Sequence, residues 1–292
     1  MKVEAIEPHG FCWGVKAAVE KAVQALAENA RPVYCLHELV HNARVVDGLK
    51  KGGMAFVDSL DAVPDGAVVI FSAHGVPPAV RDDAAKRGLR IVDATCPFVA
   101  RAHRQLADFA RRGVQTVVVG HADHVEVKGL LGEAREGGCK AVLREDEVEA
   151  LGFDPARPVG VVCQTTLSDR DVSAAMEALR RRYPLLEESA AADVCTATRD
   201  RQAAVREFVR GGGDGVLVLG SSASSNTLRL VEIAEAEGAR AWRAETEAEV
   251  DSCDFAGVAR LGVTAGASTP EDFFTATVRS LKSRIRSQEE KT

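Results

Sequence analysis

The feature that most constrains this chain is a weak internal repeat built around three cysteines. Cys12, Cys96 and Cys195 each follow an extended segment and precede a helical stretch. After each of these helices, one strand ends in a polar loop and a further strand ends in a second polar loop, at similar distances from the cysteine. The first loops cover residues 39–42, 120–126 and 220–226, and the second cover residues 71–75, 164–166 and 264–268. The repeat predicts three copies of one structural unit.

Short apolar runs that alternate with amphipathic stretches predict an α/β fold for each unit. The clearest strands are predicted at 68–71, 117–119, 159–163 and 216–219, and helices at 16–27, 98–111, 169–182, 199–209 and 227–236. Continuous hydrophobicity in a strand indicates that both of its faces are covered, as in parallel sheets. We expect units at 13–96, 97–194 and 195–282, with 1–12 as an N-terminal strand and cysteine loop and 283–292 as a polar tail.

Composition and charge exclude several classes of protein. With 46% hydrophobic residues the chain can form a large core, and with 37 Lys and Arg against 43 Asp and Glu it lacks the basic character of a nucleic-acid-binding domain. No signal peptide or membrane span is recognisable, so we expect a cytoplasmic protein with no membrane or nucleic-acid partner. In that compartment the seven cysteines should be thiols or metal ligands.

The three repeated cysteines are candidate metal ligands. Helix dipoles favour the thiolate at a helix start, and three thiolates could converge on zinc or an iron–sulfur cluster with one open position. The alternative is that they are ordinary core cysteines, because Cys is among the most buried residue types. The ordinary role is the one we expect for the cysteines that do not repeat, which are Cys35, Cys139, Cys163 and Cys253.

The polar loops offer a complementary set of hydrogen-bond donors. Imidazole can carry positive charge near an anion, and Ser side chains and backbone N–H groups at helix starts bind phosphate. The alternative for the serines and the asparagine is simple helix capping. The candidate anion-binding residues are His41, His74, His124, Ser224, Ser225, Asn226 and Ser268.

Glu126 is the candidate general acid or base. It follows His124 by two residues, so in an extended loop both side chains point the same way. A carboxylate beside anion-binding histidines is unfavourable unless it moves protons. The alternative is a solvated loop charge.

Taken in order, these motifs resemble the 4-hydroxy-3-methylbut-2-enyl diphosphate reductase family of the non-mevalonate isoprenoid pathway. The resemblance spans nearly the whole chain, from Cys12 to about Phe274. The segments that carry it are residues 10–12, 40–46, 72–76, 93–97, 164–168, 224–230 and 264–268.

The resemblance implies an iron–sulfur oxidoreductase whose three units surround a central 4Fe–4S cluster with pseudo-threefold symmetry. It places the cluster on Cys12, Cys96 and Cys195, with an open iron that takes the substrate's allylic hydroxyl. It implies proton delivery by Glu126 and Thr165. Two electrons, from ferredoxin or flavodoxin, and two protons would remove the hydroxyl as water and give isopentenyl and dimethylallyl diphosphate. The substrate's diphosphate would bind the seven candidate anion-binding residues, with Thr198 lining the pocket.

Five residues depart from the common family pattern without replacing a cluster ligand or a main diphosphate contact. They are Trp13, Ala17, Thr196, Asp200 and Ala223.

Two other readings of the chain remain. A non-catalytic iron–sulfur sensor or cluster carrier would need the three cysteines but neither Glu126, Thr165 nor the His and Ser loops. The second reading is a structural zinc protein or a plain phosphosugar-binding protein. Such a protein would lack the absorption of an iron–sulfur cluster.

Overall fold

A computed structural model describes residues 1–134, 138–188 and 194–289 of the chain. The described strands are β1 (Lys2–Ala5), β2 (Val33–Leu36), β3 (Met54–Val57), β4 (Val68–Phe71), β5 (Arg90–Asp93), β6 (Gln115–Val119), β7 (Cys139–Val142), β8 (Val159–Cys163), β9 (Leu186–Glu188), β10 (Gly215–Leu219), β11 (Arg240–Ala244) and β12 (Arg260–Ala265). The described helices are α1 (Trp13–Glu28), α2 (Ala43–Lys51), α3 (Pro78–Lys86), α4 (Pro97–Arg111), α5 (Val125–Leu131), α6 (Glu145–Glu149), α7 (Asp169–Arg182), α8 (Thr196–Arg210), α9 (Ser225–Ala236), α10 (Glu247–Ser252) and α11 (Glu271–Glu289).

The strands form three parallel sheets of four strands each, with the same internal order. The orders are β5-β4-β2-β3, β9-β8-β6-β7 and β1-β12-β10-β11. In each sheet the two inner strands end in the polar loops of the repeat, and the strand beside them leads to a cysteine. The predicted α/β class and the three similar units with parallel sheets are thus confirmed.

The chain divides into two compact units, a terminal one and a central one. The terminal unit comprises Met1–Trp13, His41–Val45 and Thr196–Thr292, and it contains the sheet with β1. The central unit comprises Gly14–Val40 and Val46–Cys195, and it contains the other two sheets. The three-part division at 13–96, 97–194 and 195–282, and its pseudo-threefold arrangement, stay predictions.

The first strand of the chain completes the last sheet. Lys2–Ala5 pairs in parallel with β12, with Lys2 opposite Arg260 and Ala5 opposite Val263. This strand therefore takes the place that β5 and β9 take in the other sheets. The sheet of the terminal unit is therefore built from an N-terminal strand, β1, and three strands from the last third of the chain.

The buried central strands explain why their sequences are continuously apolar. Every residue of β4, β8 and β10 is buried, as expected for strands covered on both faces. The predicted strands 68–71 and 159–163 match β4 and β8, and the predicted helix 169–182 matches α7. Helices α1 and α8 begin three residues earlier than predicted, directly after their cysteines. At the other end of the chain, α11 continues through most of the segment predicted as a polar tail.

Across the described residues, no helix is both long enough and apolar enough to span a lipid bilayer.

Candidate active site

The same backbone hydrogen bond anchors all three repeated cysteines. The N–H of Cys12 donates to the carbonyl of Ala267 at 3.0 Å, that of Cys96 to Ala73 at 3.0 Å, and that of Cys195 to Thr165 at 3.3 Å. Each acceptor lies in a second polar loop, at the carboxyl end of a central strand. The cysteines therefore occupy equivalent places in the three sheets, as the repeat predicted. Asp193, which belongs to the third cysteine motif, lies outside the described residues.

The seven cysteines of the chain are free thiols that differ in burial. Cys12, Cys96 and Cys195 are all half-buried thiols. Burial raises the pKa of Cys35 to about 12 and that of Cys139 to about 11, while burial and the charge of Glu249 raise the pKa of Cys253. Cys163 is fully buried in β8. Ionisation is thus disfavoured at Cys35, Cys139 and Cys253.

Glu126 is buried, and both of its carboxylate oxygens are hydrogen-bonded to one residue. The N–H of Thr165 donates to Oε1 at 2.8 Å, and the Thr165 hydroxyl donates to Oε2 at 3.0 Å. The side chain is only 2% exposed, so the alternative of a solvated loop charge is wrong. The assumption of an extended loop is also wrong, since Glu126 lies in the first turn of α5.

This environment gives Glu126 an unusual pKa. Burial raises the pKa of the carboxyl from 4.5 to about 7, although the two hydrogen bonds from Thr165 act in the opposite direction. Burial dominates because it penalises the charged form, whereas the two donors only partly replace water. At neutral pH a substantial fraction of Glu126 carries a proton, as a general acid requires.

His124 caps the helix that carries Glu126. Its Nδ1 accepts the N–H of Glu126 at 3.2 Å, so in the neutral ring the proton resides on Nε2, which can then donate it. The ring of His74 lies edge-on to that of His124, with centroids 6.1 Å apart. His74 Nδ1 is also hydrogen-bonded to Ser72 Oγ at 3.3 Å. Within the central unit, the structure thus brings together two candidate anion-binding histidines and the candidate acid.

The terminal unit carries its candidate residues around the start of α9. Ser224 caps the helix by accepting the N–H of Thr227, while Ser225 and Asn226 form its first turn. Asn226 is buried, and its Oδ1 accepts the N–H of Ala267 at 3.0 Å. Its Nδ2 is buried and has no hydrogen-bond partner among residues 1–134, 138–188 and 194–289, although buried polar groups are nearly always paired. An acceptor supplied by a ligand would satisfy this amide.

Two more candidate residues of this unit are Ser268 and Thr198. Ser268 donates its hydroxyl to the carbonyl of His41 at 3.0 Å, which joins two predicted anion-binding residues. Thr198 is buried in the first turn of α8. Of the five departures from the family pattern, only Ala17 is half-buried, and the others, Trp13, Thr196, Asp200 and Ala223, are exposed.

One connecting residue has a role that the sequence did not reveal. Gln164 is fully buried, accepts the N–H of His121 at 3.0 Å and donates to Thr166 Oγ1 at 2.9 Å. It therefore fixes the His121–Glu126 loop to the Thr165 loop. A glutamine directly after a buried strand is the only signal that could have indicated this role.

A single metal ion finds no ready site in the described ranges 1–134, 138–188 and 194–289. There, no three His, Cys, Asp or Glu side chains form a group able to hold one. Convergence of three thiolates on one cluster stays a prediction.

Comparisons with known proteins agree with one another. The family model described as LytB protein matches residues 3–282. A curated relative from Burkholderia mallei, named 4-hydroxy-3-methylbut-2-enyl diphosphate reductase 2, is 44% identical over 276 residues, which cover 94% of this chain and 84% of the relative.

Two solved structures share the fold. The E-1-hydroxy-2-methyl-but-2-enyl-4-diphosphate reductase from Plasmodium falciparum superposes with a TM-score of 0.91 at 34% identity, covering 96% of this chain and 87% of that one. A second structure, described as (E)-4-hydroxy-3-methyl-but-2-enyl diphosphate reductase, the terminal enzyme of the non-mevalonate pathway, has a TM-score of 0.69 at 33% identity and covers 98% and 100% of the two chains. The resemblance drawn from the motifs is confirmed, and this chain belongs to the LytB protein family.

Proposed function

We propose that this protein is a cytoplasmic iron–sulfur oxidoreductase that converts (E)-4-hydroxy-3-methylbut-2-enyl diphosphate to isopentenyl and dimethylallyl diphosphate. The overall reaction consumes two electrons and two protons and releases water. The observation that carries the proposal is the hydrogen-bonded pair of the buried Glu126 and the half-buried Thr165, whose carbonyl also accepts the N–H of Cys195. This arrangement ties a proton donor to the segment of a candidate cluster ligand.

The residues present fit a 4Fe–4S cluster held by Cys12, Cys96 and Cys195. All three are half-buried thiols with equivalent backbone anchors, and thiolates are the usual ligands of such clusters. Three protein ligands leave one iron without a thiolate. When bound, the cluster would supply single electrons and a Lewis-acidic iron. Because electrons arrive singly, the partner we propose is a small electron carrier such as ferredoxin or flavodoxin.

The diphosphate of the substrate is proposed to bind the hydrogen-bond donors of the candidate residues. In the terminal unit these are the Nδ2 of Asn226, the hydroxyls of Ser224, Ser225 and Ser268, and His41. In the central unit they are His74 and His124, and in the neutral ring of His124 the proton lies on Nε2. Binding energy from this unreactive group positions the allylic hydroxyl for reaction. Thr198 is proposed to line the pocket.

Proton delivery is assigned to Glu126 with the help of Thr165. With a pKa of about 7, the carboxyl can hold a proton near neutral pH and release it when the hydroxyl leaves. The Thr165 hydroxyl donates to Oε2 and is thus placed to pass a proton onward. Burial of the Glu126 carboxyl, which is 2% exposed, limits exchange of its proton with bulk water.

The test begins with anaerobic reconstitution of the full chain with iron and sulfide. Turnover is then measured with a reduced viologen dye and the hydroxylated diphosphate. We expect a broad absorption band near 400 nm and consumption of the substrate. A cluster without consumption would point to a sensor or cluster carrier, and the absence of a cluster would refute the assignment altogether.

Cysteine variants locate the ligands. Replacing Cys12, Cys96 or Cys195 by Ser should abolish stable cluster binding, because two thiolates cannot hold a cluster that three share. Cys253→Ser is the matched control, since Cys253 is also half-buried but donates its thiol to the carbonyl of Glu249. Iron and sulfide per chain are measured. Equal losses from the control and from Cys195→Ser would overturn the ligand assignment.

A further inference from the structure

Arg201 is a buried cation at a position where the fold does not need one. The sixth residue after each repeated cysteine is buried in the helix that follows: Ala18 in α1, Ala102 in α4 and Arg201 in α8. The two alanines are 1% exposed and the arginine is 4% exposed. Burying a guanidinium costs free energy that alanine avoids. Because two of the three repeats pack with alanine here, packing alone does not explain the arginine.

The guanidinium of Arg201 holds the loop that leads to Cys12. Its Nη2 donates to the carbonyl of Gly10 at 2.7 Å and lies 3.5 Å from that of His9, while its Nη1 donates to Ala197 at 2.8 Å in the first turn of α8. Gly10 has a φ of 65°, a conformation that few other residues adopt. Two contacts therefore fix the Cys12 loop. Arg201 bonds to the carbonyl of Gly10, two residues before the cysteine, and the N–H of Cys12 itself donates to Ala267.

The loop before Cys96 is supported in another way. There, the N–H of Thr95 donates to Asp93 Oδ1 at 2.9 Å, and Asp93 pairs with Arg81 at 2.8 Å. Both charged side chains of this pair are partly exposed to solvent, with 43% and 40% of their surface accessible. Solvent screens such a pair. The Cys12 loop is thus held by a buried guanidinium, and the Cys96 loop by a partly exposed ion pair.

We propose that Arg201 is a positioning and electrostatic residue of the iron–sulfur site. It holds the Cys12 loop in the ligating conformation, and its fixed positive charge favours the reduced form of the cluster. The proposal rests on the proposed function, because it assumes that Cys12 binds a cluster. Reduction adds one negative charge to the cluster, so a buried cation nearby stabilises the reduced form and raises the reduction potential. Loss of this cation therefore lowers the potential whatever other group the arginine contacts.

The first experiment uses the chain without a cluster. Amide hydrogen exchange of the segment 9–13 is compared for wild type, Arg201→Gln and Arg201→Lys. Lysine keeps the charge but lacks the planar fork that bonds several carbonyls together. Both variants should exchange about tenfold faster or more in this segment, because hydrogen bonds from a charged donor are strong. Wild-type exchange rates in both variants would overturn the positioning role.

The second experiment measures the reduction potential of the reconstituted cluster by potentiometric titration with electron paramagnetic resonance detection. Arg201→Gln should have a more negative potential than wild type, and Arg201→Lys should stay close to wild type because it keeps the charge. Equal potentials for wild type and Arg201→Gln would overturn the electrostatic role. If Arg201→Gln does not fold, the lysine variant decides: a potential far below wild type would contradict the charge argument.

Arg210→Gln is the matched control for both experiments. Arg210 lies on the same helix, is 69% exposed and pairs with Glu237 at the surface. Its removal changes the net charge equally and should change neither the exchange of segment 9–13 nor the potential. Should the wild-type chain bind no cluster, the proposed function fails, but the exchange experiment still decides whether Arg201 holds the Cys12 loop.

Discussion

Glu126 in the central unit and Asn226 in the terminal unit occupy the same place in two copies of one structural repeat. Each is the second residue of a helix that follows a central strand, after a capping His124 or Ser224. Each side-chain oxygen accepts the N–H of a second-loop residue, Thr165 or Ala267. The carbonyl of that same residue accepts the N–H of a cysteine in both units. The backbone frame is shared, and the side chains differ.

The difference shows how one frame serves two chemical tasks. In the central unit the side chain is a carboxyl, and the hydroxyl of Thr165 satisfies its second oxygen. In the terminal unit the side chain is an amide and Ala267 has no hydroxyl, so Nδ2 is a buried donor with no partner in the part of the chain that the structure describes. A carboxyl with a raised pKa can hold and transfer a proton, whereas an amide can only donate a hydrogen bond to an anion. Two pairs of equivalent positions account for this difference. Glu126 corresponds to Asn226, and Thr165 corresponds to Ala267.

Making the central unit resemble the terminal unit should have the largest effect. Glu126→Gln keeps the shape of the side chain and can still accept the bond from the Thr165 N–H, but it cannot transfer a proton. Turnover should fall by about 10²- to 10⁴-fold, the usual contribution of a positioned acid, while the cluster forms normally. Steady-state kinetics and iron content check this.

Glu145→Gln is the control for that prediction, because Glu145 is an exposed residue of the central unit that pairs with Arg181. Near-wild-type turnover by Glu126→Gln, with its cluster intact, would remove Glu126 from proton delivery.

Glu126 should also make the free energy of unfolding depend on pH. Its pKa is about 7 in the folded protein and 4.5 in the unfolded chain, so folding favours the protonated form. The stability from this preference is complete below pH 4.5 and is lost as the pH rises through about 7. The loss amounts to roughly 3 kcal/mol at 1.36 kcal/mol per pKa unit.

Urea unfolding of the cluster-free chain from acid to pH 8 checks this dependence. Relative to wild type, Glu126→Gln should gain stability as the pH rises, because glutamine does not ionise. A constant difference between the two proteins across this range would contradict the raised pKa.

Removing the unpaired amide of the terminal unit should weaken binding rather than chemistry. Asn226→Ala deletes a buried donor to a charged ligand, and such bonds contribute about 1.5–3 kcal/mol, so affinity for the diphosphate should fall about 10- to 100-fold. Calorimetric titration with the substrate or with inorganic diphosphate measures the loss.

Thr227→Val is a close control in the same helix, since the Thr227 hydroxyl is buried, has no partner among the described residues and has no role in the proposed site. Unchanged affinity in Asn226→Ala would exclude Asn226 from the diphosphate site.

The smallest effect should come from making Thr165 resemble Ala267 by removing its hydroxyl. Thr165→Val loses the bond to Glu126 Oε2 but keeps the N–H bond to Oε1. Because the lost bond lowers the pKa of Glu126, the pKa should rise further in the variant. The pH at which kcat declines should therefore move upward, with a loss of turnover smaller than in Glu126→Gln. A pH profile of kcat that matches wild type would show that the hydroxyl does not influence Glu126.

The periodicity of the sequence determined much of the fold. Strands β4 and β8 and helix α7 lie where the apolar patterns predicted them, because fully buried parallel strands need continuous Val, Ile and Leu. The three cysteine contexts and their polar loops likewise predicted that equivalent side chains occupy equivalent strand ends. These features are local or repeat along the chain, so a single sequence displays them.

Tertiary structure alone decided the features that depend on distant residues. Pairing of β1 with β12 joins the two ends of the sequence, and no local pattern specifies that partner. The pKa of Glu126 depends on its burial and on Thr165, which lies 39 residues further along the chain. In the sequence Arg201 is an ordinary helix residue, and only the structure shows that it bonds to Gly10 in the Cys12 loop. The sequence determines which side chains are available, but the desolvation and hydrogen bonding that set their chemistry come from packing between segments far apart in the chain.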